Sequence, residues 1–523
     1  MNPTNCQFGI HSCRKLAALS LVLALAGAET SAHSEEGDGF VDPVATTLRF
    51  SAETLSLPGN EKMGMLGGSV LLDVSEHLRM GLASYGAVSG ARGGFITLGL
   101  AGELHQPLTN TWSARTGLFV GAGGGRGGYT LSGGGLMLRT DAGVVYASQG
   151  LGNLGFGVSH VDFPTGTISS TQAYVQYEYP FHSLLRPGWP DSSHAVAMVA
   201  GTPGLQAQTN NLAAVYRTYQ LPASVVRDDG SVQHKSMQLM GVEWETYLDE
   251  RWFLKLESEG AMGGQSNGYM QILAGAGYRY PLSNSLAAKV HAAMGPAGGG
   301  GVDTGGGLLL DTGIALQRKL GQNLLLELGL SALQAPSRSF VAQSLDLKLG
   351  YQFGTPAVGG LRVSEDALAA FEGRKLRIRV ADQTYYKAAP QWRNRSLDDP
   401  VGNLGVQLDY FFSPTAFLTG QGLAAYRGDA GAYMTGQMGA GVQQRLNERW
   451  FVEAEALAGA AGGGGLAVGG GLVLQANGSL GYRLSDAVSL MATLGRVQAL
   501  GGDFKAHVVG VSVAYHFLGY SER

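Results

Sequence analysis

The chain has 523 residues, and 82 of them are glycine, roughly twice the usual frequency of ~7%. Charged residues make up 15% of the chain and the formal net charge is −4, so no basic surface indicates a nucleic-acid partner. The only two cysteines, Cys6 and Cys13, lie too close together near the start of the chain to build a disulfide framework or a cysteine metal site.

The first part of the chain has the pattern of a secretory signal. Arg14 and Lys15 precede an apolar run over residues 16–28, and small residues follow it. The run is shorter than the ~20 residues that a membrane-spanning helix needs, and a positive, then apolar, then small pattern is typical of a cleaved signal peptide. We therefore predict a signal peptide over residues 1–32 and an N-terminal segment over residues 33–46.

Beyond residue 45 the hydrophobic pattern has a period of two. In residues 344–353, leucine and aromatic side chains occupy every second position, whereas Asp346 and Lys348 occupy positions between them. Side chains of a strand alternate between its two faces, so this pattern predicts strands. A continuous apolar face opposite a face of charge and glycine is typical of a membrane barrel that is apolar outside and polar inside.

Short polar turns separate the strands. They recur at residues 108–112, 248–252, 282–286 and 446–450, and three of the four end in tryptophan. We interpret them as periplasmic turns beside an aromatic girdle; the alternative is an ordinary hairpin of a soluble sheet.

Two landmarks show that the chain contains three copies of one unit. Glycine triplets before a leucine and aromatic strand ends at residues 179–181, 351–353 and 515–517 both recur after 172 and then 164 residues. A shared register of two independent landmarks indicates a triplicated, glycine-rich internal repeat. The triplets, which we take as candidate hairpin glycines, are Gly133, Gly134, Gly135, Gly305, Gly306, Gly307, Gly469, Gly470 and Gly471.

Each unit contains about eight strands of the length that crosses a bilayer, so the chain as a whole has about 24. The predicted division is repeat unit 1 at 47–181, a linker at 182–211, unit 2 at 212–354, a linker at 355–375 and unit 3 at 376–520.

These features together resemble bacterial outer-membrane β-barrel proteins, and the eight-strand glycine-rich unit is similar to the small OmpA-like barrels. The resemblance implies a location in the bacterial outer membrane, surrounding outer-membrane lipid, and insertion by the barrel-assembly machinery. One departure is that residues 518–523 follow the last aromatic strand end, whereas such barrels often end on the aromatic residue.

The predicted fold is all-β, a transmembrane antiparallel β-barrel of about 24 strands built from three eight-strand repeats. A single closed barrel is favoured because fused barrels are rare and closure removes every strand edge. The alternative is three tandem eight-stranded barrels, which explains why each unit ends in its own closing-type strand and why the linkers are long.

Charged residues at inward positions are the candidate lining of a lumen. Units 2 and 3 supply most of them, with Asp382 and Asp409 at further inward positions, and unit 1 is expected to be poorer. In a large barrel they would line water and, with their acidic excess, favour cations; in small barrels they must pair. The candidate lumen-facing charges are Glu243, Glu245, Lys255, Glu257, Glu259, Asp311, Glu327, Asp346, Lys348, Arg377, Arg379, Glu453 and Glu455.

The function that this pattern favours is a porin-like outer-membrane pore or export conduit for small polar solutes or a polymer. Gating by inward-folded glycine hairpins or by a periplasmic partner would follow, and no cofactor or metal is expected. The alternative is a non-conducting structural or interaction barrel of the outer membrane.

An enzyme is the least favoured interpretation. Ser159 and His160 suggest a lipid hydrolase, but adjacent strand residues face opposite sides and cannot share a proton. We expect Ser159 to face inward, and we interpret His160 and Arg496, which share one column of the repeat, as contacts to lipid headgroups. No catalytic residue is predicted.

Overall fold

A computed structural model describes residues 40–148, 150, 152–189, 205–394 and 398–523. The predicted signal peptide lies outside the described residues. Among them, no helix is long and apolar enough to cross a membrane.

The first unit folds as a closed antiparallel barrel of eight strands, β2 to β9, preceded by the short strand β1. Its last strand pairs with its first, with Phe50 opposite Tyr177. The strands are β1 (Phe40–Val41), β2 (Val44–Ser56), β3 (Lys62–Asp73), β4 (Leu78–Ser89), β5 (Ile96–Pro107), β6 (Trp112–Gly124), β7 (Leu136–Ser148), β8 (Gly152–Asp162) and β9 (Ser169–Ser183). A single-turn helix, α1 (Gly128–Ser132), lies between β6 and β7, and a 3-10 turn (Pro58–Asn60) follows β2.

The second unit closes in the same way, with β11 to β18 in one barrel. Tyr216 of its first strand pairs with Leu347 of its last. The strands, with β10 before them, are β10 (Leu185–Pro187), β11 (Ala207–Gln220), β12 (Ser236–Tyr247), β13 (Trp252–Gly263), β14 (Met270–Pro281), β15 (Leu286–Gly298), β16 (Leu308–Lys319), β17 (Leu324–Gln334) and β18 (Val341–Pro356).

The third unit forms a barrel from β20 to β27, in which β27 pairs with both β20 and β26. The short strand β10 continues the sheet beside β27, past the point where β26 begins. The strands, with β19 before them, are β19 (Val363–Ser364), β20 (Phe371–Lys387), β21 (Val401–Phe411), β22 (Ala416–Arg427), β23 (Met434–Arg445), β24 (Trp450–Gly462), β25 (Leu472–Arg483), β26 (Val488–Ala499) and β27 (Lys505–Glu522). A 3-10 turn (Glu365–Leu368) precedes β20.

The all-β antiparallel barrel fold is therefore confirmed, whereas the favoured single barrel of about 24 strands is wrong. The alternative, three tandem eight-stranded barrels, is what the chain forms. The eighth strand of each unit hydrogen-bonds to the first strand of the same unit, so every unit satisfies its own two edges. No edge is left to join one unit to the next.

Tight turns of one design connect strands at one end of each barrel. The amide of Leu108 donates to the carbonyl of Trp112, and Leu446 donates to Trp450 in the same way, both at 2.8 Å. Asp249 carries the same turn in the second barrel, where its Oδ1 accepts the amides of Arg251 and Trp252 at 2.7 Å. These two hydrogen bonds hold the pKa of the Asp249 carboxyl below its usual value.

We call this the turn end, and the opposite end, which carries the glycine tracts, the glycine end. The described parts of the two linkers, residues 182–189, 205–211 and 355–375, lie at the turn end. There β1 pairs with β19, and an apolar cluster brings together Val41, Leu184, Val363 and Phe371. The described parts of the N-terminal segment and of both linkers thus lie together in one layer at the turn end.

The outer surface of the barrels is apolar. Leucine and valine side chains point outward and are exposed, for example Leu328 at 53% and Val511 at 63%. Near the turn end, Trp112 packs on Tyr146 and Trp450 packs on Tyr482, with ring centroids 5.1 and 4.9 Å apart. This is an apolar belt with an aromatic border.

Candidate functional site

Charged side chains fill the middle and the turn-end half of the first barrel. Arg49 Nη2 lies 2.6 Å from Glu103 Oε2 and 2.7 Å from Glu178 Oε1, and Arg139 Nε lies 2.8 Å from Glu53 Oε1. The cluster also contains Arg79, Arg115 and Asp141.

The first unit is expected to be poorer in inward charges than the other two. It is poorer than the second barrel, but against the third, whose cluster has five charges, the expectation is wrong. The eight charges of the first barrel are distributed over six strands, with one or two on each, so no single segment stands out. The signal that identifies them is the alternation of Arg49, Ser51 and Glu53 along β2 and of Arg139 and Asp141 along β7.

Arg217 is the centre of the charge cluster in the second barrel. It is fully buried, and its guanidinium lies 3.1 Å from Glu257, 3.3 Å from Glu259 and 3.1 Å from Asp346. Asp311 lies 3.4 Å away from it. Sequence reasoning missed this arginine, although Val215, Arg217 and Tyr219 alternate inward along β11.

Three lysines pair with the remaining carboxylates of the second barrel. Lys255 Nζ lies 2.9 Å from both Glu243 and Glu257, and Lys348 Nζ lies 2.8 Å from Glu243 and 2.9 Å from Glu327. Lys289, which was also missed, bridges Glu245 and Glu327. All the predicted lumen-facing charges of this unit therefore lie inside the barrel and in ion pairs.

Two arginines and three carboxylates form the cluster of the third barrel. Arg377 lies 2.7 Å from Asp409 and 2.5 Å from Glu453. Arg379 lies 2.7 Å from Asp409 and 2.8 Å from Glu455.

Asp382 was expected to face inward, and that expectation is wrong. It is three residues from the inward Arg379 and therefore lies on the opposite face of β20. Its Oδ2 accepts a hydrogen bond of 2.6 Å from the hydroxyl of Tyr426, which belongs to β22.

Apolar clusters fill the glycine-end half of every barrel. Each is built around buried aromatic rings, and none was anticipated from the sequence. The rings are Tyr85, Phe95, Phe119 and Phe163 in the first barrel, Tyr219, Tyr269 and Phe340 in the second, and Tyr385, Trp392, Tyr433 and Phe504 in the third. Over the described residues, each interior is thus occupied by an ion-pair cluster and an apolar cluster stacked along the barrel.

Trp189 closes the turn end of the third barrel. It comes from the linker that leaves the first barrel, and its Nε1 donates to the carbonyls of Leu376 and Phe517 at 3.1 and 3.3 Å. Its ring packs against Phe411 and His516 at centroid distances of 4.6 and 4.3 Å. The first linker therefore fastens the third barrel to the first.

The candidate glycines lie where one barrel meets the next. The amide of Gly431 donates to the carbonyl of Gly133 at 3.1 Å, and the amide of Gly93 donates to Gly305 at 2.7 Å. The side chain of Asn267 donates to the carbonyl of Gly469. Each triplet thus contacts a glycine-end loop of a neighbouring barrel.

Glycine is required at this junction because the backbones themselves are in contact. A Cβ built on Gly134 would lie 2.6 Å from the carbonyl oxygen of Tyr426. One built on Gly306 would lie 2.6 Å from the Cα of Ser89. The triplets sit between barrels and not inside a lumen.

Ser159 and His160 lie on opposite faces of β8. Ser159 is buried and donates to Glu53 inside the barrel. His160 is outside, where its Nδ1 lies 2.9 Å from Thr171 Oγ1. Arg496 is also on an outer face, directly across from His507 of β27.

The described residues contain no group of three or more His, Cys, Asp or Glu side chains arranged to hold a metal ion. Their carboxylates inside the barrels face arginine and lysine.

No protein-family model matches the chain, and no curated protein matches it. Solved structures do resemble it. The siderophore receptor PirA from Pseudomonas aeruginosa is 11% identical over 91% of this chain and 80% of its own, with a TM-score of 0.26. OccK11 (OpdR) of the same organism is 11% identical over 92% of this chain and 97% of its own, with a TM-score of 0.22.

A de novo designed transmembrane β-barrel is 15% identical to 27% of this chain and covers 94% of its own length, with a TM-score of 0.20. TM-scores of this size carry no argument about the fold or the function of the chain.

The ion-pair cluster of the second barrel predicts a large effect for Arg217→Met. Removal of the guanidinium leaves buried carboxylates unpaired, which costs about 3–5 kcal/mol of unfolding free energy. The measurement is urea unfolding of the refolded protein in detergent micelles, followed by tryptophan fluorescence.

The matched control is Arg362→Met, which removes an exposed ion pair with Asp42 in the turn-end layer. Such a pair contributes at most about 1 kcal/mol. Equal effects of the two substitutions would show that the interior cluster does not stabilise the barrel.

The close contact between barrels at the glycine end predicts that Gly94→Ala lowers the free energy of unfolding more than Gly59→Ala does. The two glycines have φ of 80° and 77°, so both substitutions carry the left-handed cost of about 1–2 kcal/mol. Only at Gly94 would the new Cβ overlap a neighbouring barrel, at Gly298 and Gly299, whereas Gly59 is surrounded by open space.

We expect Gly94→Ala to lower the free energy of unfolding by about 1–3 kcal/mol more than Gly59→Ala, which is the usual cost of overpacking. Thermal unfolding midpoints, read from the heat-dependent shift in gel mobility, test this. Equal midpoints for the two variants would contradict the close contact.

Proposed function

We propose that this chain is an integral protein of the bacterial outer membrane. The apolar belt supports this, because exposed leucine and valine around a whole barrel would be unfavourable in water and is stable in lipid. The aromatic border and the polar interiors support it as well, as does the sequence resemblance to outer-membrane and OmpA-like barrels. In this orientation the turn end faces the periplasm.

We further propose that the barrels are non-conducting and that the protein is a structural or interaction component of the membrane. The observation that carries this proposal is the filled interior of every barrel. The pore inferred from the sequence requires a wide lumen, and a barrel of eight strands has room only for side chains. The charges that would select ions are instead buried in pairs.

The surroundings of the protein follow from the same orientation. Arg496 and His507 together on an outer face support the contact with lipid phosphate that we predict there. The barrel-assembly machinery and any periplasmic partner would approach from the layer formed by the N-terminal segment and the linkers. A predicted signal peptide is in keeping with export to this membrane.

We expect the refolded protein to show no stepwise conductance in planar lipid bilayers. Trp189→Gly should be equally silent, because the apolar cluster of the third barrel remains in place behind the removed ring. Insertion is verified by heat-dependent gel mobility before each recording. Large, stable steps in the unmodified protein would contradict the non-conducting proposal, and steps in the variant alone would identify Trp189 as a plug.

Cysteine labelling tests the location and the orientation, since the described residues contain no cysteine. Single cysteines at Val232, Leu328 and Gly321 represent the glycine end, the belt and the turn end. With a membrane-impermeant maleimide on intact cells, Val232→Cys should react. Gly321→Cys should react only after the outer membrane is permeabilised.

Leu328→Cys should stay unreactive in both conditions, because lipid covers the belt. Reaction of Leu328→Cys in intact cells would contradict the membrane location. Reaction of Gly321→Cys in intact cells would reverse the orientation.

A further inference from the structure

The three barrels contact one another in a closed ring. The third strand of each barrel packs against the fifth strand of the next, with β4 against β15, β13 against β24 and β22 against β6. The closest approaches occur near the glycine end, where a Cβ built on Gly260 would lie 2.9 Å from that of Ala460. The fourth strands, β5, β14 and β23, lie between two contact strands and therefore face the axis of the ring.

The strands that face this axis are apolar on their outer side. Every second residue from Ile96 to Leu104, from Met270 to Tyr278 and from Met434 to Val442 points out of its barrel, and none of these residues is charged. On these stretches the only outward side chain that can form a hydrogen bond is Tyr278, whose hydroxyl accepts from Arg251 at 3.0 Å at the turn end. The next outward residue of β14, Tyr280, carries a second hydroxyl at the mouth of the space.

The space is closed at the glycine end. Ile96 is fully buried there, and backbone hydrogen bonds join the loops of neighbouring barrels, with Gly94 donating to Ala297 and Gly431 donating to Gly133, both at 3.1 Å. The interbarrel ion pair of Arg126 and Asp303, at 3.3 Å, reinforces the closure.

The space widens toward the turn end. Leu104, Tyr280 and Val442 lie at the far ends of the three axial strands and are 55%, 55% and 57% exposed. The barrels thus enclose a wedge that is sealed toward the glycine end and open toward the turn end.

We propose that this axial wedge holds the acyl chains of phospholipid from the periplasmic leaflet. Apolar walls at membrane depth exclude water and are complementary to hydrocarbon. The glycine junction blocks entry of chains from the opposite leaflet, so the lipid enters from the turn end. This inference rests on the proposed membrane location and orientation, and it assigns the protein a bound lipid between its barrels.

The test is the phospholipid content of the full-length protein after extraction from outer membranes and gel filtration in excess mild detergent. Intact-protein and lipid mass spectrometry should find phospholipid retained in a fixed ratio to the chain. Ala440→Trp fills the wedge from β23 and should abolish this retention. Ala492→Trp, at an exposed position on the outer face of β26, is the matched control and should retain the lipid.

Heat-dependent gel mobility verifies folding, and Ala274→Trp on β14 provides a second wedge variant if Ala440→Trp does not fold. Equal retention in wedge and control variants, or none in the unmodified protein, would overturn the inference. Retention of lipopolysaccharide in place of phospholipid would contradict the proposed entry of lipid from the turn end. Conductance reports separately on the proposed function, so a silent protein without lipid refutes the wedge site alone.

Discussion

Each barrel closes with eight strands, and a barrel of this size encloses only enough room for side chains. Charges placed in such an interior must find partners or remain costly. Arg217 shows the result, because its guanidinium holds carboxylates from β13, β16 and β18 at once. The ion pairs therefore connect strands across the barrel, and they occupy the volume through which a solute would have to pass.

The filled barrels meet through their outer surfaces, and this determines where glycine is needed. Where the outer surfaces approach closely, the backbones have to meet without side chains between them. Gly94 and Gly134 provide such contacts, as does the pairing of Gly93 with Gly305. The glycine tracts thus join the barrels at the glycine end, whereas the outward residues of the axial strands become exposed toward the turn end.

Much of the local structure could be predicted from the sequence. The alternation around Asp346 and Lys348 indicates the correct inward face, since the direction of a side chain in a strand depends only on its position. The turns that end in Trp112 and Trp450 could be located because their hydrogen bonds form between near neighbours in the chain. The ion-pair clusters were harder to predict, because the carboxylates that pair with Arg217 and Lys289 lie on strands that are distant in the sequence.

The sequence by itself determined the strands, their inward and outward faces, their grouping into three sets of eight and the separation of Ser159 from His160. These follow from period-two alternation and from repeats, which are properties of consecutive residues. Only the tertiary structure decided that each eighth strand returns to its own first strand, and that the glycine triplets join barrels. Strand pairing uses backbone amides and carbonyls that every residue carries, so the sequence does not distinguish one barrel of 24 strands from three of eight.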